Sequence, residues 1–197
     1  MNESEYSSWW DNRTADEIKL QMICYECEEK YFNDMTMQID SIAYDIVEVL
    51  QDMYDYIPFG LDGLCVRFFV VDGFDDPDTL GQYDIKNRTI SVKKENLDNK
   101  GVILHEMLHF YLCRIEEINH AISEYLLLKF YEDLKKKIPS LDSIILSHAD
   151  IYTLHHLESY GGRHGILFLL KSLDLDLRCG YKLGTVFGYG KEEELSD

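Results

Sequence analysis

The stretch GVILHEMLHFYL, residues 101–112, sets His105 and His109 four positions apart, with Glu106 directly after the first, inside a run that is otherwise apolar. Residues four apart on an α-helix lie one turn apart on the same face, so the two imidazoles can converge on one ion. Glu106 is offset by one position, which sets its carboxylate beside that ion instead of on it. A helix this apolar is expected to be buried, and burying two imidazoles and a carboxylate without partners is costly. The chain must therefore fold so that these three polar groups are satisfied. A zinc ion answers that need: two histidines bind it, and the glutamate becomes a general base for zinc-bound water, whose pKa falls to roughly 7. Matches to His-Glu-x-x-His also arise by chance on exposed helices, and it is the apolar setting that argues for a metal site here.

The flanking pattern places this helix. Thr14 with Glu17 three residues later forms a capping-box signature that opens a helix, and residues 14–56 read as helical throughout. A second helix, MTMQIDSIAYDIVEVLQDMY, puts Ile39, Ile42, Ala43, Ile46, Val49 and Leu50 on one stripe. LCVRFFVV is β-rich and reads as a strand. GQYDI and TISVKK flank KNR as a hairpin, the second strand alternating Ile90 and Val92 with polar neighbours, and the motif helix follows at about Leu97. Downstream, EEINHAISEYLLLKFYEDLKKKI reads as one long amphipathic helix ending at Pro139. SLDSIILSHADIYTLHHLES reads as another, with Ser140 as candidate cap. Gly161 and Gly162 break the chain, a further helix begins near His164, and YKLGTVFGYGKEEELSD reads as a Gly-punctuated loop or short strand.

At these residues the chain resembles the zincin metallopeptidases. Within that clan, TISVKKENLDNKGVILHEMLHFYL is similar to the SprT-like (Spartan-like) proteases, in which a strand, a short linker and a helix reading HEM, an apolar residue, then H-x-Y-L succeed one another. The likeness covers residues 81–112 and 161–173. It implies an α+β, zincin-like fold: a short antiparallel or mixed sheet, the active-site helix and several additional helices. Residues 1–60 are then an N-terminal helical segment packed on the core, and 61–197 the zincin-like metallopeptidase domain, the two forming one structural unit.

A catalytic zinc site needs a third protein ligand. A metzincin would place a histidine where Ile115 stands, which excludes that family. The SprT-like resemblance implies a histidine from a His-Gly-x-x-Phe segment opening a helix, and His164, Gly165 and Phe168 supply that pattern, with a helical insertion between 117 and 158 lengthening the family's spacing. A gluzincin resemblance implies Glu124, or His120 as ligand with Glu124 behind it. All three stay open from sequence. His156, beside His155, is a candidate to support the ligands or touch substrate, and Tyr160 to donate a hydrogen bond to the oxyanion formed when water attacks a carbonyl.

The activity so implied is zinc-dependent peptide-bond hydrolysis on a protein or peptide substrate, with TISVKK pairing an extended substrate by strand addition. The alternative is a non-catalytic zincin-fold module that binds zinc and acts through a protein partner. A closed structural zinc site with a fourth protein ligand is the other rival. Charge narrows the partners: 19 Lys and Arg against 37 Asp and Glu give a net charge of −18, a surface that repels nucleic-acid phosphates and anionic lipid. Lys135–Lys137 is a small basic exception that a helix C-terminus explains. No secretory leader pattern and no apolar run of ~20 residues is present, so a cytoplasmic location without membrane insertion is expected. Five scattered cysteines suit reduced thiols, and the Cys24/Cys27 pair has no second pair to complete a four-thiolate site. No sequence feature specifies an oligomeric state.

Overall fold

Thr14 caps the helix that follows it in both directions: its hydroxyl accepts the Glu17 N–H at 3.2 Å, and the Glu17 carboxylate accepts the Thr14 N–H at 2.7 Å. The computed structural model in which this is seen describes residues 3–33, 60–61, 65–118, 120–152 and 164–188. Among them are the helices α1 (Glu3–Asp11), α2 (Ala15–Cys27), α3 (Lys100–Ile118), α4 (His120–Lys135), α5 (Leu141–Tyr152) and α6 (Ile166–Cys179). The strands are β1 (Arg67–Val71), β2 (Gly81–Asp84) and β3 (Thr89–Lys93), so the chain is mixed α+β. A π-helical turn, Glu28–Phe32, continues α2, and a 3₁₀ turn, Lys94–Asn96, follows β3. The second helix expected over residues 35–54 lies outside the described residues. The chain divides into two units, Met1–Met107 and Leu108–Asp197, and the division falls inside the unbroken helix α3.

In the first unit, α2 turns Leu20, Gln21, Cys24 and Cys27 inward and packs against β1. α1 lies within the N-terminal segment expected to be helical and sets Tyr6, Trp9 and Trp10 at i, i+3 and i+4 on one face. Trp9 anchors it, with its ring 6.2 Å from that of Phe68 and 6.3 Å from that of Phe69. The expected hairpin is present: β2 runs antiparallel to β3, with Gly81 opposite Val92 and Asp84 opposite Thr89. Its turn is closed by Asp84, which accepts hydrogen bonds from the Lys86 and Asn87 N–H groups and the Asn87 amide, and these hold its carboxyl below the usual range.

The sheet corrects one expectation. Its order is β1-β3-β2, with β1 parallel to β3, so TISVKK is the central strand and both of its backbone edges are already paired. It cannot take up an extended substrate by strand addition; β1 and β2 are the edges of the described sheet. Central placement also explains why β3 does not simply alternate: Thr89 and Lys93 are buried along with Ile90 and Val92, and the Lys93 ammonium donates to the Pro77 carbonyl. The motif helix starts at Lys100 and not at Leu97, because Leu97 belongs to the turn closing the 3₁₀ segment and Asn99 accepts the Gly101 N–H at 3.1 Å.

In the second unit, the single helix expected from Glu116 to Ile138 is divided. Residues Glu116 to Ile118 complete α3, and α4 begins at His120. Leu134, Ile138 and Leu141 form a core with Ile144 of α5 and Leu169, Leu170 and Leu173 of α6. Asp142 ties α5 to α4 by accepting from the Tyr131 hydroxyl and the Lys135 ammonium, partners that lower its pKa. Residues 183–188 are turns and not a strand. Among the described residues no helix is long and apolar enough to cross a membrane.

Candidate metal centre

The helical spacing that aligns His105 with His109 also decides their environments. His105 and Glu106 are buried to 0% and 1% exposure on α3, while His109, one turn on, is half-buried. His164 is half-buried and sits one residue before Gly165, the extended residue that caps α6. The ligand nitrogens of His105, His109 and His164 all lie within 4.8 Å of one another, and these three residues are the metal-capable group found among the described residues. Zinc–nitrogen bonds of about 2.0–2.1 Å bring ligand nitrogens closer together than this limit. Three imidazole nitrogens are a donor set that zinc accepts, and His109 and His164 are each partly exposed. The residues fit the metal.

Aromatic packing holds the imidazoles. The Phe168 ring stands 4.7 Å from that of His109 and 4.8 Å from that of His164, centroid to centroid, and the two imidazoles are 5.2 Å apart. Phe187 flanks His164 at 5.4 Å and Phe168 at 5.9 Å. Phe168 was legible as part of the His-Gly-x-x-Phe pattern; Phe187 was not.

Phe187 is brought there by a buried carboxylate. Asp176 on α6 is fully buried and accepts the Gly184 N–H at 2.7 Å and the Val186 N–H at 2.9 Å, folding residues 181–188 back along the helix. Burial pushes its pKa up to about 6, against the lowering effect of the Val186, Gly184 and Thr185 N–H groups. The folded-state pKa lies above the unfolded value, so the native state binds the extra proton between about pH 4 and 6. Stability from this group is therefore greatest below about pH 4 and declines as pH rises to about 6. Asp176→Asn removes the titration, and the parent-minus-variant difference in unfolding free energy is expected to fall by on the order of 2–3 kcal/mol between pH 4 and 6.5. Denaturant melts across that range check it; a flat difference would mean that the pKa is not raised.

The other candidates fall out differently. Glu124 is exposed on α4 and does not belong to the three-histidine group. The His120 side chain, His155, His156 and Tyr160 lie outside the described residues. Cys24 and Cys27 are buried on α2, where burial first, then Cys27 and Glu28, raise the Cys24 pKa, so this thiol stays protonated and is a poor ligand. None of the five cysteines is in a disulfide. Glu106 meets a residue that the motif did not point to: a Cβ added to Gly81 of β2 would lie 2.8 Å from its Cγ. A glycine inside a strand marks close approach of another group, and that signal was available in sequence. No protein-family model, curated protein or solved structure matches the chain.

Proposed function

We propose that the chain is a zinc-dependent hydrolase of peptide bonds, zincin-like and most like the SprT-like proteases, acting on a protein or peptide substrate in the cytoplasm. The observation that carries the reading is the convergence of His105, His109 and His164 with Glu106 next to His105 on the same helix. Held by these histidines, a zinc ion would supply Lewis acidity, to polarise a carbonyl and to lower the pKa of water. Everything else is the work of the side chains. His105 and His109 hold from one face of α3, and His164 from the start of α6. Glu106, as carboxylate, accepts a proton from the attacking water while the water oxygen bonds to the carbonyl carbon. When the C–N bond breaks, Glu106 returns that proton to the leaving amine and is again ionised, so one peptide bond and one water are consumed per turnover.

A closed, structural zinc site would carry a fourth protein ligand, such as His120 or Glu124, and the coordination number of the loaded protein separates that rival from an open, catalytic position. The test is cleavage of a fluorescently labelled unfolded protein. Zinc-loaded chain is expected to cleave it, to lose activity on treatment with a chelator, and to regain it on addition of zinc. Stoichiometrically loaded protein that cleaves neither this substrate nor a diverse peptide library would support the partner-binding module instead.

A further inference from the structure

We propose that Gly81 is a positioning residue for Glu106: the absence of a side chain at the first residue of β2 makes the niche in which the Glu106 side chain lies. The inference rests on the reading of Glu106 as the base. A Cβ at position 81 would stand 2.8 Å from Glu106 Cγ, 3.0 Å from its Oε1 and 3.0 Å from Val102 Cγ1. Cγ is one bond from Cβ and cannot yield as a flexible chain end does, so relief requires rotating the whole carboxylate away. Nor can the strand easily retreat. Gly81 pairs with Val92 of the central strand, and the adjoining Leu80 carbonyl accepts the Lys93 N–H at 3.0 Å. Glu106 is 1% exposed and has no open solvent to swing into. The backbone does not explain the glycine, because Gly81 is not among the glycines with positive φ. The missing methyl is a matter of space.

A strand glycine replaced by alanine ordinarily gains stability where its φ is negative and the methyl has room, so the sign of the effect is diagnostic. The experiment places Gly81→Ala in the full chain, in Glu106→Ala and in Val102→Ala, and reads thermal midpoint, zinc affinity by chelator competition, and kcat and KM on the labelled unfolded protein. In the parent background Gly81→Ala is expected to lower the midpoint, to leave zinc affinity within about threefold, and to cut kcat by about tenfold to a hundredfold with KM little changed, the cost of misplacing a reacting group by about 1 Å. In Glu106→Ala the loss of midpoint should vanish or change sign. An equal loss in the Glu106→Ala background, or a loss relieved only by Val102→Ala, overturns the proposal, as does unchanged kcat in an active enzyme. The midpoint cycle needs no turnover, so a chain that cleaves nothing contradicts the hydrolase reading while the cycle still decides whether Gly81 makes room for Glu106.

Discussion

His164→Ala is expected to weaken zinc binding by several orders of magnitude in a chelator competition, whereas Glu124→Ala stays within about threefold of the parent. Loss of a true ligand removes a metal–nitrogen bond from a three-donor set, while loss of a group that merely supports a ligand costs ~10–100-fold. The His164 ring lies with His105 and His109 around one point, braced by Phe168 and Phe187. Glu124 is exposed on α4, where a carboxylate needs no partner. Phe187→Ala should fall between the two, since it removes packing against His164 but no donor. The reverse ranking of His164 and Glu124 would transfer the third ligand to α4 and with it the family resemblance to the gluzincins.

Glu106→Gln is expected to retain zinc and lose about 10²–10⁴-fold in kcat, the usual worth of a positioned acid–base group. The amide keeps the shape that fits beside Gly81, so neither the niche nor the three histidines should move, but it cannot carry the proton from water to amine. Cleavage by the Glu106→Gln variant at the parent rate would remove Glu106 from the mechanism.

How much of this could be read from sequence depends on the range of the interaction that decides each feature. The Thr14/Glu17 cap and the β2–β3 turn with Asp84 are settled within four residues of chain, and both were legible. The two α3 histidines follow from helical periodicity alone. His164 was one of three open choices, because spacing along the chain does not report which distant segment returns to α3; the glycine pair and Phe168 were the available cues. What was missed is long-range. TISVKK looks like half of a hairpin, and only its parallel pairing with β1 makes it a central strand. The end of α3 at Ile118 and the start of α4 at His120 are not marked by the helical spacing of the apolar residues on either side. Asp176 reads as one more acid in an acidic chain, yet it is the buried acceptor that carries Phe187 to His164.

The central claim is that the three histidines make an open zinc site, and X-ray absorption at the zinc edge of the loaded protein, with elemental analysis of the same sample, tests it most directly. The account predicts one zinc per chain with three imidazole nitrogens and one further oxygen at about 2.0–2.1 Å. A shell of four protein ligands, any sulfur in it, or protein that retains no zinc would contradict it.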